Sequence, residues 1–110
     1  MLKKDILRGD KAFDAVYNRG KSKGDKYVVL FYLKNELGYN RTAFVASKKV
    51  GNSVKRHRAT RLMKESFRNT ADAKEGYDLI FIARNSINGR KCQDVLKSMN
   101  SVLKKAGLFR

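Results

Sequence analysis

Eight lysines and arginines lie between residues 48 and 68, a stretch that holds only one acidic residue, Glu65. We call this stretch, KKVGNSVKRHRATRLMKESFR, the basic segment. Four of the eight are arginines, at positions 56, 58, 61 and 68. A guanidinium group can bind a phosphate through two parallel hydrogen bonds. The basic segment therefore predicts a surface that binds the phosphates of a nucleic acid.

Within the basic segment, apolar and small residues recur at the spacing of one buried helix face. They are Ala59, Leu62, Met63, Ser66 and Phe67. At about 100° per residue, a second set lies on the opposite face. These side chains, which we call the cationic ridge, are His57, Arg61, Lys64 and Arg68, with Arg58 flanking them. Near the helix N-terminus, where free backbone N–H groups favour phosphate, lie Lys48, Lys49, Asn52, Lys55 and Arg56.

A solvated helix face is the alternative interpretation of the cationic ridge. Solvated faces normally mix both signs of charge at i, i+4 spacing. The cationic ridge is almost entirely positive, and like charges repel along a helix unless phosphates lie against them. The charge pattern therefore favours binding.

Aromatic residues interleave with cations in the first part of the chain. The aromatics are Phe13, Tyr17, Tyr27, Phe31, Tyr32 and Tyr39, and the cations are Arg19, Lys21, Lys23 and Lys26. Exposed rings beside cations hold unpaired bases by stacking, which favours RNA over duplex DNA. Most aromatics in a small domain are core residues, so packing alone is the alternative.

The sequence contains no recognisable set of catalytic residues and no metal-binding motif. His57 is the only histidine, and it has no adjacent carboxylate to orient it. No zinc-ligand spacing, phosphate-binding loop or dinucleotide fingerprint occurs. The ten carboxylates are scattered, without a pair spaced to hold two metal ions. We expect no catalytic residue, no metal site and no cofactor in this chain.

Composition narrows the class of protein. The chain has 110 residues, which fits one domain over 1–110, and 42% of them are hydrophobic, which is typical of a folded protein. The net charge of +16 points to an anionic partner: nucleic acid, an anionic membrane surface or an acidic protein. One cysteine excludes an intramolecular disulfide, and no apolar run has the length of a signal peptide or membrane span. We expect a cytoplasmic protein.

Helices and strands are predicted to alternate around the basic segment. Asp10 is expected to cap a helix with Phe13, Val16 and Tyr17 on its apolar face, ended by Gly20. Residues 27–33 and 42–47 are predicted strands that pair as a hairpin, the first covered on both faces. Asn52 or Ser53 is expected to cap the basic helix.

After the basic helix, residues 77–84 form a predicted third strand. Asn88 then opens a last helix, whose apolar face is Cys92, Val95, Leu96, Met99, Val102, Leu103 and Ala106. This order predicts a small α+β domain, with helices packed on a mostly antiparallel sheet.

Three stretches resemble the protein subunit of bacterial ribonuclease P. Residues 47–68 resemble the family signature: a Lys-Lys pair, Gly-Asn, then Arg-Asn-Arg and basic residues leading to a Phe. Residues 13–22, FDAVYNRGKS, resemble the first helix of the family with its two spaced aromatics. The strand YDLIFIAR and the last helix follow in the expected order. One position departs, because His57 replaces the central Asn of Arg-Asn-Arg.

The resemblance implies a fold and a function. The fold is an α+β sandwich similar to a ribosomal-protein domain, with a left-handed βαβ crossover through the basic helix. The RNA subunit is the catalyst, which cleaves the 5′ leader from precursor tRNA with Mg²⁺. The protein binds that RNA and the leader, and needs no obligate protein partner.

The resemblance also assigns residues, position by position. Facing the catalytic RNA are Lys48, Lys49, Asn52, Arg56, His57, Arg58, Arg61, Lys64 and Arg68. Holding the single-stranded leader are Phe13, Tyr17 and Phe31, which we call the aromatic cluster.

Two other functions remain as alternatives. A small ribosomal protein or RNA-assembly factor would share the charge and the size. A self-sufficient nuclease would need metal-binding carboxylates, which the sequence lacks.

Overall fold

The computed structural model describes residues 3–70 and 73–109, which form three helices, four strands and two short 3₁₀ turns. The helices are α1 (Asp10–Arg19), α2 (Ser53–Arg68) and α3 (Cys92–Lys105). The strands are β1 (Lys21–Gly24), β2 (Val28–Lys34), β3 (Arg41–Val45) and β4 (Tyr77–Ala83). The 3₁₀ turns span Lys3–Asp5 and Asn85–Ile87.

The four strands form one sheet in the order β1-β2-β4-β3. β2 is antiparallel to both β1 and β4, whereas β3 is parallel to β4. A parallel pair needs a crossover connection, and α2 supplies it between β3 and β4. The predicted α+β class, with helices on a mostly antiparallel sheet, is confirmed. The left hand of this crossover stays a prediction.

The predicted hairpin between the first two long strands is wrong. β4 lies between β2 and β3, so residues 41–45 pair with β4 and not with β2. The partner of β2 on its other side is β1, a strand that the sequence did not reveal. β1 has the sequence KSKG, with all four residues exposed, and it lacks the β-branched and aromatic residues typical of strands. It extends because pairing with β2 satisfies its backbone groups.

The sheet has helices on both faces. Val28, Leu30 and Tyr32 of β2 point towards α2 and α3, where Met63, Met99 and Leu103 complete the larger core. Alternate residues point the other way, because successive side chains of a strand face opposite sides. On that side α1 buries Val16 against Ile80 and Ala43. Residues 27–33 were predicted to be covered on both faces: the face towards α2 and α3 is buried as predicted, but Val29, Phe31 and Leu33 on the α1 face are only half-buried, because the short α1 covers part of that face.

The ends of the helices were predicted with mixed success. The Asn52 side chain caps α2 by accepting a hydrogen bond from Lys55 N at 3.0 Å, and Gly20 ends α1 by donating to Val16 O at 2.9 Å. Asp10 does not cap α1, since Gly9 holds that position. Asn88 does not open the last helix either, which begins at Cys92 after the 3₁₀ turn.

Among the residues that the structure describes, none of the helices combines the length and apolar character needed to span a bilayer.

Candidate RNA-binding surfaces

A tight turn after β3 brings the lysine pair of the basic segment to the N-terminus of α2. Val50 N donates to Ser47 O at 3.0 Å, and Val50 itself is buried at 2% exposure. Lys48 and Lys49 therefore remain exposed at the tip of the turn. Gly51, with φ of +139°, then leads into the capped first turn of α2. Two lysines thus lie beside a helix N-terminus, where backbone N–H groups favour phosphate.

The side chains of the cationic ridge lie on one face of α2, opposite its buried face, as the helical spacing predicted. Ala59, Met63 and Ser66 are buried against the sheet and α3, with Leu62 and Phe67 half-buried beside them. On the opposite face His57, Arg61, Lys64 and Arg68 are all exposed. The charge therefore lies on a rigid helix that is anchored through its other face.

Three arginines of the basic segment already have partners within the chain. Arg68 forms an ion pair with Glu65 at 3.1 Å, both side chains being mostly exposed. Arg56 Nη2 donates to Ser53 Oγ at 3.3 Å. Arg58 Nη2 donates to the backbone oxygen of Arg90 at 2.7 Å. An exposed ion pair contributes little to stability, so Arg68 can exchange Glu65 for a phosphate readily.

The aromatic cluster forms a continuous row on the face of the sheet that carries α1. The ring centroids of Phe13 and Tyr17 are 6.3 Å apart, and those of Tyr17 and Phe31 are 5.1 Å apart in an edge-to-face arrangement. Tyr17 is 40% exposed, and burial raises the pKa of its phenol. A phenol is already neutral at physiological pH, and this shift keeps it so, so the Tyr17 ring carries no negative charge to repel RNA.

The other aromatics proposed for stacking have different positions. Tyr32 belongs to the larger core at 9% exposure, on the opposite face of the sheet from Phe31, so packing explains it. Tyr39 lies under Lys4, whose Nζ is 4.9 Å from the ring centroid. Tyr27 lies under the guanidinium of Arg90, which is 5.3 Å from its ring centroid.

A half-buried apolar row extends the surface beside the aromatic cluster. In this row, Ile82 of β4 pairs with Val29 of β2 on one side and with Val45 of β3 on the other. The row lies on the same face of the sheet as the pair Phe31 and Ile80, two residues further along the strands. All three are only half-buried. This row could not be predicted from the sequence, because apolar residues in a strand look the same whether or not a helix covers them.

A groove of about 910 Å³ follows the edge strand β3 and connects the two surfaces. Its lining includes Phe13 of the aromatic cluster and Lys64 and Arg68 of the cationic ridge, together with two carboxylates, Asp5 and Glu75. A smaller cleft of about 380 Å³ shares Phe44 and Thr60 with it and includes His57. This connection could not be predicted from the sequence, since it depends on β3 being an edge strand.

Within residues 3–70 and 73–109, no group of three or more histidine, cysteine, aspartate or glutamate side chains is arranged to hold a metal ion. Cys92 is half-buried at the contact of α2 and α3, where its Sγ lies 3.3 Å from Ser66 Oγ.

The exposed cations, the aromatic row and the fold agree with one known family. The family model for ribonuclease P matches residues 1–107. This chain belongs to the ribonuclease P protein family. The ribonuclease P protein component of Clostridium botulinum (strain Langeland) is 46% identical over 110 residues, covering 98% of this chain and 99% of the relative.

Solved ribonuclease P proteins share the fold. The protein from Staphylococcus aureus superposes with a TM-score of 0.84 at 27% identity, covering 96% of this chain and 98% of that one. The protein from Thermotoga maritima gives a TM-score of 0.79 at 25% identity, covering 91% and 96% respectively. Membership of the ribonuclease P protein family gives this chain a part in the ribonucleoprotein enzyme of tRNA processing. It also implies the ribonuclease P RNA as a partner.

Proposed function

We propose that this chain is the non-catalytic subunit of ribonuclease P, and that its two surfaces bind two different RNAs. The cationic ridge and the N-terminal end of α2 bind the catalytic RNA. The aromatic cluster holds the single-stranded 5′ leader of precursor tRNA. The RNA subunit cleaves the leader with Mg²⁺, and this chain contributes binding only.

The observation that carries the proposal is the exposed face of α2. Arg61 and Lys64 lie in the centre of this face. The carboxylate nearest to them along α2, that of Glu65, lies at the margin of the face. Neighbouring cations on this face repel one another, and bound phosphates would neutralise that repulsion. Lys48, Lys49, Asn52 and Arg56 extend the surface around the helix N-terminus. His57 lies at the N-terminal end of the ridge, next to these residues, where its ring can donate a hydrogen bond to RNA with a geometry that differs from that of the Asn amide.

The groove along β3 supports a common path for the two RNAs. A leader lying on the aromatic cluster would enter this groove at Phe13 and meet Lys64 and Arg68, which line the same groove. Half-buried Val29, Val45 and Ile82 offer further apolar surface for unpaired bases, which stack on apolar and aromatic faces without regard to sequence. The leader would thus run from the aromatic cluster towards the catalytic RNA.

Reconstitution with the catalytic RNA tests this function. At a Mg²⁺ concentration too low for the RNA alone, adding the chain should restore cleavage of precursor tRNA, whereas the chain without RNA should cleave nothing. Its affinity for the RNA should fall about a thousandfold between ~50 and ~200 mM salt if it neutralises roughly six phosphates. Turnover by the chain alone would contradict the proposal. Co-sedimentation with ribosomal subunits, without stimulation of the catalytic RNA, would favour the ribosomal alternative.

A further inference from the structure

The loop between β4 and α3 is held against the basic segment from two sides. Arg58 Nη2 donates to the Arg90 backbone oxygen at 2.7 Å. Asn88 Nδ2 donates to the Val50 backbone oxygen at 2.7 Å. These are the points at which the loop, residues 84–91, meets the first turns of α2 and the turn that precedes it. The loop is therefore attached to the candidate RNA-binding surface by side-chain hydrogen bonds.

The position of Arg58 on α2 differs from that of the other cations. At about 100° per residue it lies roughly a quarter-turn from the centre of the cationic ridge, on the side that faces α3. One of its terminal nitrogens is engaged by a backbone carbonyl, an interaction that a charged donor makes about twice as strong as a neutral one. The guanidinium of Arg58 thus points along the protein surface towards the loop.

The loop carries exposed cations of its own. Arg90 and Lys91 are both exposed, and Arg90 lies over the Tyr27 ring at 5.3 Å. The base of the loop is rigid, because Ile87 is fully buried and Arg84 N donates to Tyr27 O at 2.9 Å. Between this base and α3, the Arg58 side chain ties the Arg90 backbone oxygen to α2.

We propose that Arg58 is a positioning residue, and that Arg90 and Lys91 form an additional RNA-binding site next to the cationic ridge. Arg58 holds the loop so that its two cations extend the ridge sideways towards the start of β2. The phosphates they bind belong to the catalytic RNA, so this inference rests on the proposed function. The resemblance places Arg58 against the catalytic RNA; in this proposal Arg58 contributes to binding through the loop, to which its Nη2 is tied, and not through a phosphate contact of its own.

A double-mutant cycle on binding to the catalytic RNA tests the inference. Arg58→Ala should lower the affinity about tenfold in the wild-type chain, and less than about twofold in a chain that already carries Arg90→Ala and Lys91→Ala. Arg61→Ala is the matched control, an exposed arginine of the same helix with no contact to the loop. Its effect should be the same in both backgrounds. Independent, additive effects of Arg58→Ala and the loop substitutions would overturn the proposal.

Hydrogen exchange in the free protein gives a second measurement that needs no RNA. The Arg90 amide donates to Ile87 O at 3.1 Å and reports on the order of the loop. Arg58→Ala should speed its exchange several-fold, while Arg61→Ala should leave it unchanged. Unchanged exchange in Arg58→Ala would refute the positioning role. If the wild-type chain failed to bind the catalytic RNA, the proposed function would fall, and the exchange rates would still decide whether Arg58 holds the loop.

Discussion

Tyr17 combines contact with Phe31 and exposure to solvent, whereas Phe13 and Phe31 are half-buried. It is therefore the member of the aromatic cluster whose replacement disturbs the core least. His57 is the corresponding residue on the other surface, exposed at the N-terminal end of the cationic ridge, at the position where the family signature has Asn. Single substitutions at such exposed positions can separate binding of the leader from binding of the catalytic RNA.

Replacing Tyr17 by Ala should weaken binding of precursor tRNA by the reconstituted enzyme about tenfold, since stacking contributes ~1–3 kcal/mol per base. Mature tRNA, which lacks the leader, should bind as before. Tyr17→Phe keeps the ring and serves as the control, with affinity close to that of the wild type. Equal losses for precursor and mature tRNA would show that the aromatic cluster does not bind the leader.

Replacing Arg61 by Ala should weaken binding to the catalytic RNA by about 1–3 kcal/mol. The slope of log affinity against log salt should also decrease by about one phosphate contact. Titrations at several salt concentrations measure both quantities, and the ratio of precursor to mature tRNA affinity should not change. A loss of affinity with an unchanged salt slope would argue against a phosphate contact.

At the scale of elements, sequence periodicity was sufficient to predict the long helices and strands, but not to predict which strands pair with one another. The buried face of α2 and the apolar face of α3 were predicted residue by residue, because burial of a helix face imposes a spacing. The order of the strands was not predicted, since a strand as apolar as β2 fits equally well beside β3 or β4. β1 escaped notice because its KSKG sequence is a strand only through pairing with β2. The aromatic cluster was predicted, and the groove beside it was not.

The junction of α1 and β1 has no room for a side chain at Gly20. A Cβ there would lie 2.5 Å from the Tyr32 backbone oxygen and still closer to that of Val16. Neither carbonyl can move without disturbing α1 or β2, so Gly20→Ala should lower the free energy of unfolding by about 1–3 kcal/mol. Gly24→Ala, at the far end of β1, is the control, because its Cβ would meet only ordinary contacts at 3.8 Å. Urea unfolding of both variants checks the difference, and equal stabilities would contradict it.

Asp25 ties the turn between β1 and β2 to α3, by accepting hydrogen bonds from Ser101 Oγ and Lys105 Nζ, both at 3.2 Å. Burial alone would raise its pKa, but hydrogen bonds from Ser98, Lys26, Lys105 and Ser101 together lower the pKa below the ordinary 3.8. Because the pKa of Asp25 is lower in the folded than in the unfolded state, its carboxylate stabilises the folded state at every pH above the unfolded-state pKa. This contribution is lost as the pH falls through the folded-state pKa.

Asp25→Asn should therefore lower the free energy of unfolding by about 0.5–1 kcal/mol at pH 7, a modest loss because the ion pair is partly exposed. The difference from the wild type should stay constant down to about pH 5 and shrink below it, as Asp25 itself becomes protonated. Urea unfolding of both proteins at pH 7 and at pH 3 measures the difference in the free energy of unfolding at each pH. A gap as large at pH 3 as at pH 7 would mean that the carboxylate charge is not responsible.

At the scale of the whole molecule, charge is the dominant feature. A net charge of +16 on 110 residues works against the folded state through repulsion among the cations. The same charge attracts RNA, so the free protein bears a destabilisation that the complex relieves. Composition alone predicted this balance, because net charge does not depend on the fold.

Added sodium chloride should therefore stabilise the free protein, on the order of 1 kcal/mol between low and moderate ionic strength, as salt screens the repulsion. Thermal or urea unfolding over a range of sodium chloride concentrations measures the effect. A variant with Arg61→Gln and Lys64→Gln should respond less, because two charges of the cationic ridge are gone. A wild-type stability that falls with salt would show that attractive pairs outweigh the repulsion.

The position of β4 has a consequence for the order of events during synthesis. β4 is the last strand to leave the ribosome, yet it is the partner of both β2 and β3. Until residues 77–83 emerge, β3 has no strand to pair with, and α2 has no complete sheet on which to bury Met63. A nascent chain that ends before β4 thus presents the basic segment next to ribosomal RNA without a folded core behind it. Circular dichroism of a chain ending at residue 76 should accordingly show little native structure, and native-like sheet in that fragment would contradict this order.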